Sequence, residues 1–160
     1  MAEQTIFNRL KEDHDTHREL LERITVSQDP QDRQALFENF KTEVTAHAAA
    51  EEETLYSTML ADPDLRHDGQ HSVAEHKELD DLLQKMADLD PSSREWTEKF
   101  KKLKHDYLHH IDEEEEDMFP AAAEELTKKE EVALKEKFEE RKPEEYQRAL
   151  EGADEDDDRE

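Results

Sequence analysis

Prolines divide most of this chain into four long segments that have the periodicity of helices. Four of the five prolines lie between such segments: Asp29-Pro30, Asp62-Pro63, Asp90-Pro91 and Phe119-Pro120. Proline suits the first position of a helix, where its missing N–H is not needed, and aspartate before it suits the N-cap. The sequence therefore predicts helices near residues 3–26, 31–60, 66–89 and 93–119.

The composition favours helices throughout. The chain has only two glycines among 160 residues, and its commonest residues are helix formers such as Glu, Leu, Lys and Ala. Long helices with short connections pack side by side in antiparallel fashion. We expect an all-α protein, an up-down-up-down four-helix bundle over residues 1–125, followed by a C-terminal helical extension over 126–150 and a disordered acidic tail over 151–160.

Histidines stand at positions where the apolar stripes of the helices call for leucine. On the first helix, His14 and His17 continue the three-and-four spacing of Leu10 and Leu21. On the third, His76 continues the stripe in the same way. Burying an imidazole is costly unless it has a partner, so the stripes predict a polar site inside the bundle.

The two halves of the chain repeat the same pattern. DHDTHRELL around His14 matches EHKELDDLL around His76, and HAAAEEETLY from His47 matches HIDEEEEDMFP from His110. His14 and His47 are 33 positions apart, and His76 and His110 are 34 apart. The bundle is therefore expected to be a duplicated helical hairpin.

This repeat predicts a metal site. Residues four apart share one face of a helix, so each H-x-x-x-E pair presents an imidazole and a carboxylate together. The expected ligands come in matching sets from both halves: His14, His47, Glu51, His76, His110 and Glu114. Two metal ions fit this set, with carboxylates able to bridge them. The chain has no cysteine, so iron, manganese and zinc all suit the donors.

These motifs resemble the haemerythrin-like family that carries the HHE cation-binding domain. The resemblance covers roughly residues 5–125 and rests on the ordered pattern H, H-x-x-x-E, H, H-x-x-x-E. It implies a bundle around an oxo- or hydroxo-bridged pair of iron ions. It also implies that the six residues named above are the ligands and that the two glutamates bridge.

The third helix departs from the oxygen-carrying members, which have two histidines four residues apart there. Ser72 and Asp80 stand four residues either side of His76. Reversible oxygen storage is therefore not expected. Asp80, or a pair formed by His71 and Glu75, is an alternative source of additional ligands.

With fewer histidines, the resemblance implies an open coordination position for a small oxidant such as oxygen, peroxide or nitric oxide, in stress response or sensing. His17 is expected to orient a ligand through its free N–H, and Tyr56 and Tyr107 to act on the site as hydrogen-bond donors or as ligands, with simple core packing as the alternative for Tyr56. The sequence identifies no catalytic residue. An alternative function is a metal- or gas-responsive sensor, or an iron-binding module, that has no turnover and reaches a protein partner through the C-terminal segment.

The charge of the chain limits its partners. A formal net charge of -25 repels phosphate backbones and anionic lipid headgroups, so nucleic acid and membranes are not expected as partners. The N-terminal sequence has no apolar core of a signal peptide, and no apolar run approaches the length of a membrane span. A cytoplasmic location is expected.

Overall fold

The computed structural model describes the backbone of residues 4–158 and the side chains of residues 4–152. The helices follow the chain in this order: α1 (Ile6–Val26), α2 (Pro30–Glu51), π1 (Glu52–Tyr56), α3 (Ser57–Ala61), α4 (Arg66–Ala87), α5 (Arg94–Glu113), π2 (Glu114–Met118), α6 (Phe119–Glu125) and α7 (Lys128–Asp158). The run α2–π1–α3 is one continuous rod, and α5–π2–α6 is another. With α1 and α4, these rods form the expected all-α four-helix bundle.

The helix boundaries follow local capping. Thr5 caps α1 and shares a reciprocal capping box with Asn8. Asp29 caps α2 ahead of Pro30, as predicted, and Ser93 rather than Asp90 caps α5. At the other connections the aspartates close turns, since Asp62 accepts from the N–H of Asp64 and Asp90 from that of Ser92.

The predicted boundary at Phe119-Pro120 is wrong, because the fourth rod continues through Pro120 to Glu125. The π2 segment ends immediately before this point. A π segment has wider turns with i→i+5 hydrogen bonds, so the regular ladder in which proline would remove a bond is already interrupted. A sequence pattern based on ideal helices cannot detect this change.

The apolar core has two parts with a polar layer between them. One cluster includes Leu21, Phe40 and Trp96, and the other includes Leu10, Met59 and Phe119. The predicted ligands lie between these clusters along each rod, for example His14 between Leu10 and Leu20. The interior of the bundle therefore holds a polar layer that is closed at both ends by packed side chains.

Helix α7 packs against α1 and α2. Its Phe138 is completely buried, with its ring 5.7 Å from that of His47 and the guanidinium of Arg9 5.2 Å above it. Lys142 of the same helix reaches Asp13 on α1. The domain limits inferred from the sequence remain a proposal. The sequence predicted disorder from residue 151, whereas the described backbone continues α7 to Asp158.

Replacing Phe138 with Ala is expected to lower the free energy of unfolding of the whole protein by about 3–5 kcal/mol, because it leaves a cavity beside His47. Urea unfolding followed by circular dichroism measures this. The matched control is Leu150→Ala in the same helix, since Leu150 is 43% exposed. If α7 were an independently mobile extension, Phe138→Ala would leave the main transition unchanged.

Candidate metal centre

The structure brings the six predicted ligands together in the polar layer, all of them buried. Their exposed fractions lie between 0% for His14 and Glu51 and 7% for His76. Two groups have ligand atoms within 4.8 Å of one another: His14, His47 and Glu51, and His76, His110 and Glu114. Each half of the duplicated chain therefore supplies one group of two imidazoles and one carboxylate.

The two glutamates connect these groups. Oε1 of Glu51 lies 3.6 Å from Nε2 of His47 and 3.4 Å from Nε2 of His76, in the other half. Oε1 of Glu114 lies 2.9 Å from Nε2 of His110 and 3.8 Å from Nε2 of His14. Each carboxylate thus lies between histidines of both halves.

The outward-facing nitrogen of each histidine is close to a carboxylate. Within the halves, Nδ1 of His47 lies 2.8 Å from Asp13, and Nδ1 of His110 lies 3.0 Å from Glu75. An ionised carboxylate only accepts hydrogen bonds, so Nδ1 carries the proton and donates it. In a neutral imidazole this tautomer leaves the lone pair on Nε2, which faces the polar layer.

The remaining two histidines are held from the opposite half. Nδ1 of His14 lies 2.7 Å from Glu115, and Nδ1 of His76 lies 3.3 Å from Glu52. Sequence reasoning missed these contacts, because Glu115 reads as part of a solvated acidic run. The repeat could have indicated these contacts. In both halves an acidic residue precedes the first predicted histidine ligand, and another follows the predicted glutamate ligand.

Unpaired polar atoms show that a cation suits this layer. Among the described residues, Nε2 of His14, Nε2 of His47 and both carboxylate oxygens of Glu51 have no hydrogen-bond partner, while Nε2 of His110 faces Oε1 of Glu114 at 2.9 Å without hydrogen-bond geometry. Buried polar atoms without partners are rare because each costs free energy. Inward lone pairs and carboxylates together form a donor set that fits divalent transition metals.

The buried groups of the layer also change one another's pKa values. Burial, reinforced by the nearby His17 and His14, lowers the pKa of His47 to about 3 in spite of Asp13. For His110 burial also opposes the charge, but Glu114 and Glu75 outweigh it and raise the pKa to about 10, so without a metal its Nε2 also carries a proton, which a metal ion would displace. Burial and then the neighbouring Glu114 raise the pKa of Glu51 well above its usual value. A cation between the two glutamates would relieve their repulsion.

Tyr56 makes the two halves different. Its buried hydroxyl donates to Oε2 of Glu114 at 2.9 Å and lies 3.4 Å from Nε2 of His76. Burial, followed by the charge of Glu114, raises the pKa of this phenol well above its usual value, so it keeps its proton. Its counterpart in the repeat is Phe119, whose ring stacks at 6.0 Å on His14.

His17 and Tyr107 form a separate buried pair next to the layer. Nδ1 of His17 and the Tyr107 hydroxyl are 2.6 Å apart. Nε2 of His17 lies 3.6 Å from Glu43, and its ring meets that of His47 edge-on at 5.0 Å. His17 contacts His47 by ring packing and, among the described contacts, makes no hydrogen bond to any of the six predicted ligands.

The additional ligand candidates lie outside the layer. His71 is half exposed and pairs with Glu75 and Glu113 on the surface of α4 and α5. Asp80 is exposed and joins none of the described His and carboxylate groups. Glu75 alone reaches the buried site, through its contact with His110.

One π segment, Glu52–Tyr56, directly follows Glu51, and the other, Glu114–Met118, begins on Glu114. A π turn inserts one residue into a helix and shifts the face that the following residues present. Tyr56 and Phe119, at the end of these turns, are consequently buried against the site. Periodicity alone gave no indication of either segment.

The fold and the site together define a helical protein with an internal cation-binding layer. A model of the Hemerythrin HHE cation binding domain family matches residues 5–122. The chain therefore belongs to the haemerythrin HHE cation-binding family, as the resemblance predicted. Within the residues that the structure describes, no helix is both long and apolar enough to cross a membrane.

Two relatives extend this comparison. A crystal structure of a haemerythrin HHE cation binding domain-containing protein from Mycobacterium kansasii is similar, with a TM-score of 0.80, 27% identity, and coverage of 92% of this chain and 91% of that one. A protein from Nostoc sp. described as a DNA nickase is 31% identical over 117 residues, which are 70% of this chain. This chain spans only 32% of that relative's length.

Proposed function

We propose that the protein binds two iron ions on the six buried residues and uses them to bind or turn over a small oxidant. The observation that carries the proposal is the position of Glu51 and Glu114, each between histidines of both halves. A carboxylate in that position suits a shared ligand of two cations. Manganese and zinc suit the same donors, but only iron and manganese would give the redox chemistry.

Iron, when bound, supplies the electron transfers and the open coordination position that a small oxidant requires. The chain contributes orientation, proton placement and exclusion of water. Carboxylates fix the four imidazoles from outside, and the apolar clusters close the layer at both ends. Tyr56 keeps its proton at a hydroxyl beside Glu114 and His76, where it can donate a hydrogen bond to a bound oxygen or nitrogen.

An apolar pocket gives small molecules access to this layer. A cavity of about 290 Å³ lies between α2 and α4 and reaches His76, the most exposed of the six residues. Ala48 and Ala49 form part of its wall. An uncharged oxidant of a few atoms fits such a path, whereas anions are repelled by the acidic chain.

The test is elemental analysis of protein purified without added metal or chelator, followed by a peroxide assay. We expect about two irons per chain, near-ultraviolet charge-transfer bands, and consumption of hydrogen peroxide but not of a bulky organic hydroperoxide. The matched control is the chelator-treated protein, which should be inactive. Failure to bind metal after anaerobic ferrous reconstitution would overturn the proposal.

A sensor without turnover is the second candidate function, and one observation favours it. Lys142 of α7 contacts Asp13, which holds His47, so ligand binding at His47 and the packing of α7 are physically linked. A sensor requires that a partner reads this packing. Metal-dependent hydrogen exchange in α7 without peroxide consumption would support it.

DNA nicking is not proposed for this chain. The similarity to the Nostoc protein covers less than a third of that protein, so its activity does not transfer with the shared segment. The net charge of -25 also opposes binding to a phosphate backbone.

A further inference from the structure

A separate group of histidines and carboxylates lies outside the polar layer, on the surface of α4 and α5. Nε2 of His71 is 3.2 Å from Oε1 of Glu75 and 3.4 Å from Oε1 of Glu113. Nε2 of His109 approaches the other oxygen of Glu113 at 3.6 Å. Two helices therefore present up to two imidazoles and two carboxylates at one place.

The donors in this group suit a metal ion that keeps part of its water. One nitrogen of His71 faces two carboxylates at nearly equal distances, and neutral imidazole with carboxylate favours zinc, ferrous and manganous ions. The side chains of His71, Glu75 and Glu113 are 48%, 25% and 32% exposed, so a hydrated ion can reach them. The chain's net charge of -25 attracts cations to this surface.

Glu75 connects this group to the buried centre. Its Oε1 lies 3.2 Å from His71 on the outside and 3.0 Å from Nδ1 of His110 on the inside. A cavity of about 600 Å³ opens here between α4 and α5, and its walls include Glu75, His109 and His110. His71 and His110 thus share the Glu75 carboxylate, and His109 and His110 line the same cavity.

We propose that His71, Glu75 and Glu113, with His109 beside them, form a third cation site that binds one divalent transition-metal ion. From this site the ion passes into the buried centre next to His110. The existence of the site stands independently, whereas its loading role rests on the proposed function. Binding is weaker than at the buried centre because the donors are partly hydrated and fewer of them are fixed by neighbours.

Zinc binding to chelator-treated protein tests the site, since zinc has no redox chemistry. Equilibrium dialysis with elemental analysis should give about three ions per wild-type chain and about two for His71→Ala combined with Glu113→Gln. His105→Ala, which removes an exposed histidine of the same helix outside the group, should leave about three. Equal numbers of bound ions in the wild type and the double variant would overturn the proposal.

The same titration separates this proposal from the dinuclear one. If the wild type binds about one ion and the double variant none, the surface site stands and the buried pair of ions does not. Retention of the weakest ion by Glu114→Ala, which removes a buried donor, would also support the surface site.

Loading is tested by the rate at which anaerobic ferrous iron enters the metal-free protein. We expect the double variant to load the buried centre roughly tenfold more slowly while reaching the wild-type buried content. Loading at the wild-type rate by a variant that has lost the third ion would refute the loading role.

Discussion

Replacing Glu51 with Gln is expected to remove metal and, at the same time, to stabilise the metal-free protein. The two effects have one cause. Glu51 is completely buried and both of its oxygens lack a hydrogen-bond partner among the described residues. A buried carboxylate without a partner destabilises the fold unless a cation binds to it. Glutamine has the same shape but no charge.

We expect the metal content of Glu51→Gln to fall from about two ions to one or fewer, and the free energy of unfolding of the metal-free form to rise by about 1–3 kcal/mol. Elemental analysis and urea unfolding measure the two quantities. Glu38→Gln, an exposed change on the same helix, should alter neither. A purely structural glutamate would show the reverse, with intact metal content and lower stability.

The stability difference should depend on pH in a defined direction. Burial and the neighbouring Glu114 raise the pKa of Glu51 above its ordinary 4.5, so the folded metal-free protein keeps a proton there that the unfolded chain has lost. Wild-type stability falls as the pH rises from about 4.5 through the raised pKa. Glutamine does not titrate, and therefore the advantage of the variant grows over the same range.

Replacing Asp13 with Asn is the second large expected effect, and here stability and metal binding should fall together. Asp13 is buried and accepts from His47 at 2.8 Å, Lys142 at 3.0 Å and Arg9 at 2.6 Å. Removing one partner from a buried charge cluster leaves the other charges uncompensated, at a cost of about 3–5 kcal/mol. Loss of the carboxylate that orients a metal-binding histidine typically weakens metal binding by about 10–100-fold.

The exposed Asp15→Asn on the same helix is the matched control, since its described ion pair is with Arg18 at the surface. Adding Lys142→Met to Asp13→Asn should recover neither stability nor metal affinity, because Lys142 still has Glu43 as a partner at 3.2 Å. Metal titration and urea unfolding of the three variants separate the two roles. Unchanged metal affinity in Asp13→Asn would show that His47 is positioned by packing alone.

The sequence was sufficient for the architecture and for the members of the buried layer. Helical periodicity and proline boundaries depend on neighbours along the chain, so they gave the four rods, and the repeat brought His14, His47, His76 and His110 into matching places. The sequence was insufficient where the outcome depends on contacts across the bundle. The contact of Glu115 with His14 joins residues 101 positions apart, and no local pattern specifies it.

The π segments and helix α7 show the same limit. A π turn arises from a balance between backbone hydrogen bonds and the packing of side chains, so the acidic run from Glu114 reads as ordinary helix. The modest apolar face of α7 indicated that this helix packs against another element but did not indicate which one. That Phe138 and Lys142 would enclose His47 and Asp13 depends on the surface presented by α1 and α2.

The crossed carboxylate contacts bear on how this domain arose. Asp13 and Glu75 serve histidines of their own hairpin, but Glu52 and Glu115 serve histidines of the other one. A lone hairpin would leave half of its imidazoles without support, whereas two copies related by a twofold axis would satisfy each other reciprocally. The geometry fits descent from a hairpin that worked as a symmetric dimer, and within one chain the two copies can differ, as they do at Tyr56 and Phe119.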